Sequence, residues 1–306
     1  MYSKIVYADL SKTKIKNFQG GYHFCLTNLE TILLPDCLER LPNFFIGYTN
    51  INEFTFPRNL KYIEGGALAC LPNLNVLKSN CPDIVIYRGI AYSSDFKTLI
   101  KCPVDMNEPL APTVVNISDC GAMSCCSFVS FVLDPQVQKL GNRMLRECYE
   151  LESVDLSRSI ATELPYEIFC NCRKLTNLVL PDTLISISRN IFFNDLIVSI
   201  LKIPPSVKYL DPNTFVGADI GTIEYCGVYL LNVAAPSNSI LKTNKMYSNT
   251  YFMQRTDFLK ELSECLSERT PFPTPTLIPK NIASCVHEIY SFSRLPTYML
   301  YVLIVI

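Results

Sequence analysis

Apolar residues fall at fixed intervals along most of the chain. Leu175, Leu178 and Leu180 lie on one side of a short extended segment, Pro181 ends it, and Leu184 and Ile187 resume the series three residues apart. With the position of Pro181 as a marker, the pattern recurs at Ser11, Pro35, Pro57, Asn80, Pro112, Asp134, Ser157 and Pro204, in steps of 22 to 24 residues and one of 32. Apolar residues follow three places after the marker (Leu38, Leu60, Val115, Val137, Ile160, Leu184, Val207). They follow again six places after it (Leu41, Ile63, Leu140, Ile187, Leu210), slipping by one to Leu164. A large apolar residue recurs further on, near Phe24, Phe45, Leu68, Leu145, Phe169, Phe192 and Phe215. A tenth copy begins at Ile220 and stops. A period held in phase over such distances is the signature of a repeat architecture.

Each repeat reads as one turn of a coil. The segment before the marker is too short for a stable helix; stacked on its neighbours it becomes a strand of a long parallel sheet. Proline is tolerated at the strand end, where no ladder donor is needed. No repeat buries its apolar face alone, so stability comes from neighbours. The predicted fold is an α/β repeat: a solenoid with a parallel sheet on its concave face, mostly β with short helical or 3-10 returns. An inserted antiparallel β-hairpin or meander and an α-helical C-terminal tail complete it. The insertion is residues 84–103, where β-branched and aromatic residues flank turns at Arg88-Gly89 and near Ser93. The solenoid spans residues 1–227 and a linker 228–250. An amphipathic helix is predicted over 251–269, with Phe258, Leu259, Leu262, Cys265 and Leu266 opposite Lys260, Glu261 and Glu264. A Pro-rich spacer and apolar tail occupy 270–306.

The units within 28–41, 52–63, 174–187 and 201–210 resemble leucine-rich repeats of the BspA type. That family's unit reads Leu-x-x-Leu-x-Leu-Pro-x-x-Leu-x-x-Ile, then Gly-x-x-Ala-Phe-x-x-Cys. Glu64-Gly65-Gly66-Ala67-Leu68-Ala69-Cys70 keeps the second part closely, and Asp119-Cys120-Gly121-Ala122-Met123-Ser124-Cys125 keeps it with Met for Phe. The resemblance covers roughly residues 5–227 and extends to the insertion. It implies a leucine-rich-repeat solenoid that is surface-associated and takes part in adhesion to a host or matrix protein, as members in anaerobic bacteria and mucosal protist parasites do.

Composition narrows the chemistry. With 27 basic and 28 acidic residues the net charge is −1, which leaves no footprint for nucleic acid; Lys12, Lys14 and Lys16 read as a solvated edge. Among the fourteen cysteines, Cys70, Cys125, Cys148 and Cys172 fall near one repeat position, which predicts small, reduced, core-facing side chains. Cys170 and Cys172, and the adjacent Cys125 and Cys126, do not have zinc-ligand spacing, and there is no C-x-x-C. Only His23 and His287 could serve a Cys–His or Ser–His–Asp site; His23 reads as half-buried and structural. No P-loop, dinucleotide fingerprint or zinc-protease motif occurs. No catalytic, cofactor-binding or metal residue is predicted, and the expectation is a non-enzymatic protein.

Asn116-Ile117-Ser118 is the one glycosylation pattern. The N-terminal residues contain no apolar run of signal-peptide length. The wholly apolar residues 298–306 are about half the length of a membrane span, which predicts weak membrane association through the tail. Thiols and the missing signal segment favour the cytosol; the tail and the resemblance favour the cell surface. The alternative to an adhesion module is an intracellular leucine-rich-repeat scaffold, or a partial gene product, since the first repeat begins by Ile5 without a polar cap.

The alternation of Leu178-Val179-Leu180 puts the leucines inward and Asn177 and Val179 outward. The same offset gives two columns on the concave face. One runs Tyr7, Thr31, Glu53, Val76, Ser130, Ser153, Asn177, Ile200; the other runs Asp9, Leu33, Thr55, Lys78, Val132, Asp155, Val179, Lys202. Their mixture of polar and apolar side chains suits a protein or peptide ligand better than phosphate or an acidic polysaccharide.

Overall fold

The computed structural model describes residues 4–106, 108–193 and 196–227, then 229, 231, 233–236, 238–243 and 259–261. Among them, the residues before each marker except Pro112 form the front strands of the coil. These are β1 (Tyr7–Asp9), β2 (Thr31–Leu33), β4 (Glu53–Phe56), β6 (Val76–Ser79), β11 (Ser130–Val132), β12 (Ser153–Asp155), β14 (Asn177–Val179), β16 (Leu196–Ile203) and β18 (Ala218–Tyr225). All pair in parallel, in the groups β1-β2, β4-β6, β11-β12-β14 and β16-β18.

The returns were predicted as short helical or 3-10 segments. They are instead two-residue strands and hydrogen-bonded turns, and the described residues contain no helix. The return strands are β3 (Arg40–Leu41), β5 (Tyr62–Ile63), β10 (Asn116–Ile117), β13 (Glu163–Leu164), β15 (Ser186–Ile187) and β17 (Tyr209–Leu210). They stack in parallel as β3-β5 and β13-β15-β17. The physical reason is competition for the same amides: a neighbouring coil offers each return a ladder partner, which an isolated short helix cannot match.

A third corner, again held by bonds between coils, follows the return in the regular coils but not in the one that carries the insertion. Phe24 N donates to Phe45 O at 3.0 Å, Met123 N to Met144 O at 3.0 Å, and Leu145 N to Ile168 O at 3.1 Å. Two residues four apart adopt left-handed backbone here: Phe44 and Tyr48, Gly66 and Cys70, Gly121 and Cys125, Arg143 and Glu147, Glu167 and Asn171. Between them the apolar wedge points inward, and Phe169, Phe192 and Phe215 stack with centroids 6.3 and 6.2 Å apart.

The insertion is an antiparallel meander of β7 (Ile84–Tyr87), β8 (Ile90–Ser93) and β9 (Thr98–Lys101). Arg88 and Gly89 both have positive φ, 51° and 77°, as a type I′ hairpin turn requires. β9 then re-enters the return sheet, parallel to β10. The meander is more than an interruption of one coil. Alternate residues of β8 and β9 enter two different cores: Ile90, Tyr92 and Leu99 on one side, Ala91 and Ile100 on the other. It is a septum between an N-terminal and a C-terminal core.

Two sequence expectations change at the C-terminal end. Residues 240–243, read as linker, form β19 (Ile240–Thr243), parallel to β18. The helix predicted over 251–269 lies outside the described residues except for β20 (Leu259–Glu261), a strand parallel to β19. In the first place pairing with the preceding coil orders a stretch read as linker, and in the second it overrides local helical spacing. The Pro-rich spacer, the apolar tail and His287 lie outside the described residues. Among the described residues no helix is long and apolar enough to cross a membrane.

The candidate binding face and the corner behind it

The parallel register places the predicted columns side by side. Tyr7 pairs with Thr31 and Asp9 with Leu33; Glu53 pairs with Val76 and Thr55 with Lys78. Ser130, Ser153 and Asn177 are successive partners, as are Val132, Asp155 and Val179. Ile200 and Lys202 continue the columns against Thr222 and Glu224. Between them Ile32, Phe54, Leu77, Phe131, Val154 and Leu178 are buried, as alternation demands. The columns fall into four sheets, with breaks between β2 and β4, between β6 and β11 where the insertion lies, and between β14 and β16.

Several polar members of the columns already have partners. Lys78 Nζ lies 2.8 Å from Glu53 Oε1, and Glu224 sits between Lys202 and Lys242 at 3.9 and 3.1 Å. Asp155 accepts the Ser157 amide at 2.8 Å. Asp9 accepts both the hydroxyl and the amide of Ser11, which holds its carboxyl below the usual range. These two carboxylates close the turn after their strand. Four apolar members have no such occupation, Tyr7, Leu33, Val76 and Ile200 being 58%, 42%, 42% and 48% exposed, while Val132 and Val179 are half-buried.

The cysteines divide into two columns. Cys126, Cys148 and Cys172 point into the core and donate Sγ–H to a carbonyl of the preceding coil, Cys148 to Met123 O at 3.3 Å and Cys172 to Leu145 O at 3.0 Å. Cys70 and Cys125 sit one place earlier, at the left-handed position, in a separate small cluster with Phe44 and Ala69. The single position expected for Cys70, Cys125, Cys148 and Cys172 is therefore two adjacent ones. Eleven cysteines among the described residues are free thiols; Cys226 is disulfide-bonded. His23 is exposed rather than half-buried, its ring packed 4.9 Å from that of Phe18.

The corner also gathers charge that the periodicity did not reveal. Glu147 is buried and accepts from Tyr48 Oη at 3.0 Å, Tyr149 Oη at 3.1 Å, Asn171 Nδ2 at 3.2 Å and Arg146 Nε at 3.4 Å. Glu167 accepts from Arg143 at 2.9 Å and from Arg146. Arg143 lies over the rings of Phe44 and Tyr166, 4.6 Å from each. Burial pushes the phenols of Tyr48 and Tyr149 upward, so both remain hydroxyl donors. The one sequence signal was the shift of Cys70 and Cys125 by a single place relative to Cys148 and Cys172.

Comparison with known proteins agrees with this architecture. A leucine rich cell surface protein of Faecalibacterium prausnitzii is 22% identical with a TM-score of 0.55, over 64% of this chain and 54% of that one. The pneumococcal vaccine antigen PcpA is 16% identical with a TM-score of 0.50, over 74% of this chain and 67% of that one. At such identities the likeness shows the fold, and this chain spans about half the length of the Faecalibacterium protein. No curated protein matches. The model of the BspA type leucine rich repeat region matches residues 6–90 and 110–258 in six copies, leaving out the second half of the septum. A repeat-based protein-interaction module is what such a stack provides. With more than half its residues matched, the chain belongs to the BspA type leucine-rich repeat family.

Proposed function

We propose that the chain is a non-enzymatic adhesion module that holds a protein or peptide ligand against the outward columns of its front strands, at a cell surface. One observation carries the reading. Apolar side chains are held exposed at strand spacing among small polar ones, with no run of a single charge. Exposed apolar side chains of this kind supply the core of a protein interface, and the charged members Asp9, Glu53, Lys78, Asp155 and Lys202, already held by neighbours, supply its polar rim. That two structural neighbours are a cell surface protein and a vaccine antigen supports the location. The free thiols favour the second reading, an intracellular scaffold that uses the same face.

Charge reversals at Glu53, Lys202 or Asp155 would disturb ion pairs and a turn as well as the surface, so the apolar members make the cleaner test. Leu33→Lys with Val76→Lys, and separately Ile200→Lys, should weaken binding to immobilised matrix proteins or intact host cells by about tenfold or more. Tyr62→Lys and Tyr209→Lys, on exposed return positions, serve as controls. Binding lost only in the return-sheet variants would overturn the front-face reading. Deleting residues 84–103 would remove the septum, so the hairpin is tested by Arg88→Glu alone. Labelling of intact expressing cells separates the surface from the interior.

A further inference from the structure

We propose that Cys70, Cys125 and Glu147 form a site for one thiophilic divalent cation of the zinc type. The corner ladder passes directly from Leu68 N to Cys120 O at 3.2 Å, and from Cys125 N to Arg146 O at 2.9 Å. The coil that carries the septum supplies no copy of this corner. Cys70, Cys125 and Glu147 therefore occupy successive levels of one column, with the same left-handed backbone, φ 56°, 62° and 60°. Non-glycine residues at such angles are uncommon, and three in register aim their side chains alike. Their two sulfurs and a carboxylate oxygen all lie within 4.8 Å of one another, and all three residues are buried.

The distances are close to those of a bound ion. A tetrahedral ion with metal–sulfur bonds of about 2.3 Å and metal–oxygen bonds of about 2.0 Å needs sulfurs about 3.8 Å apart and a sulfur–oxygen gap of about 3.5 Å. Cys125 Sγ is 4.0 Å from Glu147 Oε2 and no pair of ligand atoms is more than 4.8 Å apart, so side-chain adjustments of about an ångström or less close the site. Two thiolates with one carboxylate select zinc-like ions over magnesium or calcium. Each thiol gives up its proton as its sulfur–metal bond forms, so two protons leave for each divalent ion bound and the charge of the corner does not change. Arg146, beside Glu147, balances the carboxylate throughout. A second observation concerns Asn171, the next residue of the column: its Nδ2 donates to Glu147 while its Oδ1 is buried without a hydrogen-bond partner. The local polar network is therefore incomplete as it stands. Water completes four-coordination, while Tyr48 Oη keeps donating to the Glu147 carboxylate at 3.0 Å.

The test uses the full chain, reduced and kept under nitrogen, titrated with Co²⁺ and then Zn²⁺. The expected result is saturation at one Co²⁺ per chain. A thiolate-to-cobalt charge-transfer band appears and is bleached by Zn²⁺, and two protons are released per ion. Cys70→Ala and Cys125→Ala each remove the band, and Glu147→Gln weakens affinity by about tenfold or more. Cys148→Ala, a core thiol of equal size in the neighbouring column, keeps the band, and circular dichroism confirms which variants are folded. A folded wild-type chain without the band would overturn the proposal. So would a band that persists in the folded Cys70→Ala/Cys125→Ala double variant, which would place the ion on other thiols.

Discussion

Cys148 and Cys70 differ by one place in the repeat and by everything in their surroundings. Cys148 is buried in the main core and donates to Met123 O. Cys148→Ala should cost about 1 kcal/mol in lost packing. From burial alone Cys148→Ser would be expected to cost more, but the carbonyl in front of Sγ changes that. Thr49, at the same repeat position, is buried and donates its hydroxyl to Ile46 O at 2.9 Å. Serine at 148 should therefore cost no more than alanine, measured by urea denaturation. Burial also holds the thiols of Cys102, Cys126 and Cys148 well above their usual value of 9.0, and pushes Cys170 up to about 12. Below about pH 9 folded and unfolded chains both keep these protons; above it only the unfolded chain loses them. Stability should fall as pH rises through 9 toward 12, by up to about 1.4 kcal/mol per pH unit for each such thiol. An unchanged urea midpoint between pH 8 and 10 would refute this. At this scale the outward columns were legible, because strand alternation is written in residue type. The corner was not: Tyr48, Cys70, Cys125 and Glu147 share a left-handed backbone that no common side chain announces.

Among the elements, the tight turns show where coils press on each other. A Cβ on Gly141 would lie 2.1 Å from Ser118 O and 2.9 Å from Ile117 O, both rigid backbone. A Cβ on Gly89, at φ 77°, would meet nothing within 4 Å. Gly89→Ala should thus cost only the left-handed penalty, about 1–2 kcal/mol. Gly141→Ala must push two coils apart and should cost about 3 kcal/mol or more. Equal losses of stability would mean that coil contact is not limiting at Gly141. The meander itself was legible from its β-branched runs and its Arg-Gly turn. Its role as a septum was not, because one period-2 strand with two apolar faces reads the same whether it divides one core or caps another. The helix predicted near Leu259 misled for a related reason: helical spacing describes a side-chain pattern, and pairing with β19 decides the backbone.

For the molecule as a whole, the septum raises the question of whether the stack unfolds as one block or two. The N-terminal core runs from Leu29 to Cys120 and the C-terminal core from Ile90 to Leu241, meeting across β8 and β9. Repeat stacks owe their cooperativity to interfaces between neighbours, so a weak interface divides the transition. Lys101 holds this join. It is 1% exposed, and its Nζ donates to Gly121 O at 2.8 Å and Ser124 Oγ at 3.2 Å. Ser124 Oγ in turn accepts Cys70 N at 2.9 Å, tying the end of β9 to the corners of the coils on both sides. Lys101→Ala removes the packed stem and one charge-assisted donor, a loss of about 2–3 kcal/mol concentrated at the join. The expected outcome is that one urea transition in the wild type becomes two. The transitions would be assigned by amide exchange to residues before and after the septum. A single transition, merely shifted to lower urea, would show that the ladders of the return sheet and corner couple the two cores without Lys101.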